Sequence, residues 1–409
     1  MAEEYCGVLA DSRGVMGRGC VVVEDGVIAG VRLGARGYHD YGDSIVAPGF
    51  IDLHVHLRGM RQAYREDENT GTLAAARAGI TLVADMPNTV PRLDTPARVM
   101  EKLGSFTRPA VDYMVYAAVP EDKSLVGELA RMPVAGFKVY PEDLEKPDSV
   151  LEAVLSHGGL VVLHPELPWV ESYSEAPSSR EAGRPCWSEG AAVEALPEPA
   201  GGTRVHVTHA SCPSTIVRAK RRGFTVDVTP HHLLWIVDDR MGCLHKVNPM
   251  LRGHAESYRL QVLAAEGVVD AFASDHAPHA PWEKTDPLWC MPGIPWLEHW
   301  PWTVYGLVKA GLLSLERFLY MVSTGPARIL GLGGRLGLLE PGYRANLTVF
   351  NPGATWRFEG PRHSKARLWP SLMTVQAGAP VATIVGGVLV YEDDEPTGEA
   401  PGVNLAGQP

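Results

Sequence analysis

The sequence contains no uninterrupted apolar run long enough to cross a bilayer, so no membrane partner is expected. It has no C-x-x-C pair. Its six cysteines, Cys6, Cys20, Cys186, Cys212, Cys243 and Cys290, are scattered, which argues against a cysteine zinc cluster or a small disulfide scaffold and leaves them read as buried or incidental thiols. Positive charge is also short: 37 basic side chains against 48 acidic ones give a net charge of -11. So acidic a chain is a poor match to a polyphosphate, and no nucleic-acid partner is expected. The first residues, Met1-Ala2-Glu3-Glu4-Tyr5, carry neither a basic cluster nor an apolar stretch of secretory type, so the expected location is cytoplasmic. No internal repeat or low-complexity segment stands out.

What is present is a foldable composition, 45% hydrophobic and 21% charged, well away from the disordered regime. Short, glycine-punctuated β-rich segments lie at both ends of the chain, at 19–24, 26–33, 345–350 and 381–391. Neither end is large enough to bury a good core alone. One small β-sandwich domain assembled from 1–46 and 335–409 is therefore expected around a central domain at 47–334. In that centre, eight short apolar runs (50–55, 81–86, 112–117, 136–140, 160–163, 204–208, 225–228 and 269–273) alternate with helix-like stretches such as 70–78 and 148–156. Eight such units predict an α/β fold, a (β/α)8 TIM-type barrel. The proline-rich tract 165–199 is long for a connection, and a loop excursion plus a helix near 188–195 is expected there.

Catalytic groups in such a barrel gather where the strands end, and those positions are rich in chemistry. Run one ends in His54-Val55-His56-Leu57-Arg58, run two in Met86-Pro87-Asn88-Thr89, and run four contains Lys138. Run five ends at His164, run six at His209 and run eight at Asp275-His276-Ala277-Pro278-His279. His54 and His56 are two apart on a strand, so they leave on one face and can share a metal ion. The pair alone reads equally as two satisfied core or surface histidines. Four imidazoles with a carboxylate on one rim suit zinc or a similar borderline metal better than calcium or magnesium. Lys138 reads either as a barrel lysine paired with a carboxylate such as Asp275, or as a desolvated amine that takes up carbon dioxide to become a bridging carbamate.

Together, His54, His56, Lys138, His164, His209 and Asp275 resemble the binuclear amidohydrolase superfamily. The strings from Pro48 to Arg58, Met86-Pro87-Asn88-Thr89, Thr229-Pro230-His231-His232-Leu233, Lys246-Val247-Asn248-Pro249 and Ser274 to His279 are similar to the dihydroorotase family. The resemblance implies hydrolysis of dihydroorotate to N-carbamoyl-L-aspartate, and the reverse closure, in pyrimidine biosynthesis. It implies two Zn2+ or similar ions per subunit, one held by His54, His56, Lys138 and Asp275 and the other by Lys138, His164 and His209, with carbon dioxide carried as a carbamate on Lys138. A water activated between the two metals would attack the ring amide, with Asp275 as catalytic proton shuttle. Arg58, Asn88 and His279 would hold the substrate carboxylate, and Asn248, Pro292 and Gly293 the ring edge.

The chain departs from the family pattern at Gly59-Met60-Arg61, where Glu-Pro-Gly is usual, at Pro165-Glu166, where a small residue is common, and at Met250, where a second proline is frequent. In some relatives a downstream acid bridges the metals instead of the lysine; here that is Glu142 or Asp143. A homodimer and an association with aspartate transcarbamoylase are left open. The rival readings are an inactive dihydroorotase-like partner of that transcarbamoylase, and a dihydropyrimidinase or allantoinase.

Overall fold

The structure, a computed structural model, describes residues 2–168, 183–237, 242–285, 290–370 and 375–407. At its centre is a ring of parallel strands: β5 (Phe50–Val55), β6 (Ile80–Asp85), β7 (Asp112–Val115) continued past Tyr116 by β8 (Ala117–Ala118), β9 (Phe137–Val139), β10 (Leu160–Leu163), β11 (Arg204–Val207), β12 (Thr225–Val228) and β13 (Ala271–Phe272). A parallel bridge between Val55 and His276, with His56 N–H donating to the His276 carbonyl at 2.8 Å, closes the ring. The eight predicted runs are these strands. They read as apolar runs because both faces are covered. Ile51, Leu53, Leu82, Ala84, Leu160 and Val162 pack in one cluster, while Phe50, Ile80, Val83, Val161 and Leu163 pack in another with the surrounding helices. That alternation is the two-residue period of a strand.

The helices start where their sequences can cap them. Asp67 accepts from the N–H groups of Asn69 and Thr70 at the head of helix Glu68–Arg77, and Thr95 from Arg98 N–H ahead of helix Pro96–Ser105. Helices Asp148–Val154 and Cys186–Ala195 lie where helical stretches are predicted. The loop excursion expected in 165–199 falls partly on 169–182, outside the described residues. Among the described residues, no helix is long and apolar enough to cross a membrane.

Both chain ends enter one eight-stranded sheet. In chain order its members are β1 (Glu3–Asp11), β2 (Gly14–Glu24), β3 (Val27–Leu33), β4 (His39–Pro48), β14 (Leu347–Arg357), β15 (Val375–Val385), β16 (Val388–Glu392) and β17 (Glu395–Pro396). In space they run β17-β16-β15-β14-β4-β1-β2-β3. The two ends meet antiparallel at β4 and β14, where Pro48 faces Leu347. Tyr5, Leu9, Val21, Val46, Leu347 and Ile384 form a core of its own. The run expected at 381–391 is in fact two strands, broken at Gly386 and Gly387, both in the left-handed region at φ 54° and 80°. Beyond the sheet the chain returns to the start of β7: Tyr113 N–H donates to Val403 O at 3.0 Å and Leu405 N–H to Tyr113 O at 3.1 Å. Leu405 and Ala406 join the barrel-interior cluster and plug its floor.

The cysteines correct the reading as thiols. Cys6 pairs with Cys20, Cys186 with Cys212 and Cys243 with Cys290, leaving no free cysteine. The partners lie 14, 26 and 47 residues apart. They meet only through strand register, as Cys6 opposite Cys20, or through loop packing, neither of which leaves a spacing signal.

Candidate active site

His54 and His56 leave the end of β5 toward Asp275, which lies just beyond β13. Their Nε2 atoms lie 3.3 and 3.1 Å from Asp275 Oδ1. What faces their other nitrogens fixes the rings. The Thr208 hydroxyl donates to Asp227 Oδ2 at 2.9 Å, so it can only accept from His54 Nδ1–H at 2.7 Å. His56 Nδ1–H donates to Asn88 Oδ1 at 2.7 Å. Burial, and for His54 also the nearby Lys138, lowers the pKa of both rings and keeps them neutral. Two bare Nε2 lone pairs and a carboxylate oxygen therefore converge within 4.8 Å with no proton between them. That donor set fits a borderline divalent cation.

His164 and His209 complete the rim. Their ring centroids are 4.4 Å apart, and His209 lies 5.0 Å from His54. His164 Nε2 is engaged by Glu166 Oε2 at 2.8 Å, leaving Nδ1 as the nitrogen available to a ligand. Burial raises the Glu166 carboxyl, but His164 and Arg184 more than offset this and hold it at about 2. Asp227 also accepts from the backbone N–H of His209 at 2.5 Å, so one carboxylate supports both the Thr208–His54 contact and the His209 backbone. Lys138 is fully buried beneath this group, and its Nζ has no hydrogen-bond partner. Burial pulls its pKa to about 7 against the opposing field of Asp275. The ion pair of Lys138 with Asp275 is not formed. An orphaned amine next to the ligand rings fits a carbamate. Of the alternative bridges, Asp143 is turned to Arg92 and to Tyr140 N–H, and Glu142 reaches Arg92 at 3.3 Å.

A cavity of about 350 Å³ opens above these groups. His54, His56, Arg58, Asn88, His164, His209, Asn248, Asp275, His279, Pro292 and Gly293 all line it, so every predicted site residue except the deeper Lys138 meets there. Arg58 is 6% exposed; its Nε donates to Pro278 O at 3.3 Å, and no carboxylate lies within ion-pair distance of it among the described residues. Burial, reinforced by Arg65, pulls its pKa to about 10. A buried cation of this kind calls for an anion from outside. Because Asn88 spends Oδ1 on His56, only its amide N–H groups are left for a ligand. His279 Nε2 is 2.9 Å from Pro292 O and 3.4 Å from Arg58 Nη2, so its ring lies against Arg58 on the cavity wall.

Three of these residues stand in the left-handed region, Arg58 at φ 57°, His209 at 43° and Asp275 at 49°. Such backbone is uphill for a side chain with a Cβ and persists only where its surroundings over-determine it. Sequence reading missed Thr208, Asp227, Glu166 with Arg184, and Gln62, whose Oε1 is buried without a partner on the cavity wall. An aspartate in the middle of the apolar strand β12 is the one signal that could have pointed to Asp227.

Residues 45–390 match the model of the amidohydrolase family. The chain is 46% identical over 390 residues to the dihydroorotase of Aeropyrum pernix, covering 91% of this chain and 90% of that protein. It is 41% identical over 317 residues to the dihydroorotase of Saccharolobus solfataricus, 77% of this chain and 76% of that protein. Among solved structures, the L-hydantoinase (dihydropyrimidinase) of Arthrobacter aurescens superimposes with a TM-score of 0.89 at 25% identity, covering 97% of this chain and 98% of that one.

Proposed function

The chain belongs to the amidohydrolase family, and we propose that it acts as a dihydroorotase, interconverting dihydroorotate and N-carbamoyl-L-aspartate. The observation that carries this reading is a buried arginine, Arg58, without an ion pair among the described residues, on the same cavity wall as the convergent His54, His56 and Asp275. A ring that bears a carboxylate beside a hydrolysable amide fits that pairing, and an uncharged ring does not.

His54, His56 and Asp275 would hold one Zn2+-like ion and His164 and His209 a second, with a carbamate on Lys138 between them. Bound there, the metals supply a water acidic near neutrality and polarise the amide carbonyl. The rest is done by the chain. Arg58 and the Asn88 amide N–H clamp the substrate carboxylate, which sets the carbonyl over the ligand cluster. Asn248 and the backbone at Pro292 and Gly293 take the ring edge. Asp275 accepts the proton of the attacking water and delivers it to the ring nitrogen as the C–N bond breaks. In the direction of ring closure it takes a proton from the carbamoyl-aspartate nitrogen and returns it to the departing water. The Asp227–Thr208 relay keeps His54 in one tautomer throughout.

Arg58→Ala tests the substrate. For dihydroorotate, kcat/KM should fall roughly 10- to 100-fold or more, while any turnover of dihydrouracil or hydantoin should barely change. Equal losses on both, or a native preference for the uncharged ring, would favour the cyclic amidase reading. Turnover by the purified, metal-replete chain alone separates an enzyme from a partner that needs aspartate transcarbamoylase.

A further inference from the structure

Behind Arg58 lies a buried charge cluster that the reaction does not touch. Lys102, from helix Pro96–Ser105, is fully buried. Its Nζ donates to Glu68 Oε1 at 2.6 Å and to the backbone carbonyl of Arg58 at 3.0 Å, and it forms an ion pair with Asp85 Oδ2 at 2.7 Å. Asp85 in turn accepts the N–H of Leu57 through Oδ1 at 2.8 Å. The loop is therefore held from beneath at the Leu57 N–H and at the Arg58 carbonyl. Glu68 closes the third side. At Gly59, which follows Arg58 at φ 64°, a Cβ would run into Glu68 Oε1. Arg58, Gly59 and Met60 together form a left-handed stretch at φ 57°, 64° and 49°.

A stretch of that kind does not hold itself. Two of its three members carry a Cβ, and each pays for the conformation unless its surroundings impose it. Buried ion clusters are weak sources of stability, because desolvation consumes most of the attraction, but they are directional. We propose that Lys102, with Glu68 and Asp85, is a positioning residue for Arg58: it imposes the left-handed turn that aims the guanidinium at the substrate carboxylate. The proposal rests on Arg58 being the carboxylate clamp. Burial alone would strip Lys102 of its proton, but Asp85 and Glu68 outweigh burial and hold its pKa above the ordinary amine value. The field of Asp85 favours the charged guanidinium.

The test is Lys102→Met, assayed with dihydroorotate on metal-loaded enzyme. KM should rise on the order of 10- to 100-fold, as expected for a displaced binding group, with kcat changed less than about threefold and metal content unchanged. Because Lys102→Met leaves two acids buried without a cation, the neutral variant Lys102→Met/Glu68→Gln/Asp85→Asn is made beside it. It removes the hold without stranding a charge and should show the same rise in KM. In an Arg58→Ala background, neither set of changes should raise KM further. A fall in kcat that tracks Tm, an unchanged KM in the neutral variant, or fully additive losses with Arg58→Ala would overturn the proposal. If Arg58→Ala itself leaves kcat/KM for dihydroorotate intact, the carboxylate clamp is what fails; if Arg58→Ala is severe and the Lys102 variants are silent, only the positioning role fails.

Discussion

Two buried aspartates sit at opposite ends of the barrel, and the chain treats them differently. Asp112, at the start of β7, is closed on all sides: it accepts from Arg344 Nε and Nη2 at 2.7 and 2.8 Å, from Asn346 Nδ2 at 2.8 Å and from Val403 N–H at 3.0 Å. Asp275, past the end of β13, faces two histidine nitrogens whose protons are committed elsewhere. One acid sews the barrel floor, the sheet and the returning C-terminal segment into a single body. The other is left with open valence. Nearly all buried polar groups in proteins find partners, so open valence at Asp275, beside ligand rings that line a cavity, marks a place for something from outside. The same contrast separates Lys102, which holds two acids and a carbonyl, from Lys138, whose Nζ makes no hydrogen bond and faces only the Tyr140 ring at 5.4 Å among the described residues.

The contrast can be broken at either end. Asp275→Ala should lower kcat roughly 10⁴-fold or more while leaving thermal unfolding of the metal-free protein unchanged or slightly raised; activity surviving within a hundredfold would remove Asp275 from the proton path. Lys138→Ala should cost the protein one of its two metals by elemental analysis, with a short carboxylic acid such as propionate restoring part of the activity. Unchanged metal content would contradict a bridging lysine. At the floor, Asp112→Asn should destabilise the fold by about 1–3 kcal/mol in denaturant titration, because it leaves the half-buried Arg344 under-paired, yet kcat/KM should stay within about twofold. A matching loss of catalysis would mean that the two ends are coupled. The smallest effect is expected from Thr208→Val, which keeps the shape and removes the relay to His54: metal affinity, measured by chelator competition, should fall roughly tenfold.

The barrel is legible in the sequence because each strand buried on both faces reads as a short apolar run, and because most of those runs end in a residue that has no business in a core. His54, His164, His209 and Asp275 announce their strand ends in this way. Elsewhere the signal is conformational and escapes a linear reading. The doublet Gly386-Gly387 turns one expected strand into a hairpin, and it could have been seen. The disulfides could not, since each joins residues that only the folded path brings together. Thr208, Asp227 and Glu166 act through hydrogen bonds between neighbouring strands and loops, so their meaning exists only once the register is known.

The seam between β4 and β14 also bears on how the chain is made. Leu347 follows its partner Pro48 by 299 residues, so at about 5–20 residues per second the first four strands leave the ribosome roughly 15–60 seconds before their neighbour exists. For that interval an apolar sheet stands with a naked edge, the kind of surface on which chains stick to one another. A message truncated before that strand is translated leaves the edge open for good, and its product is expected in inclusion bodies rather than as a smaller working enzyme.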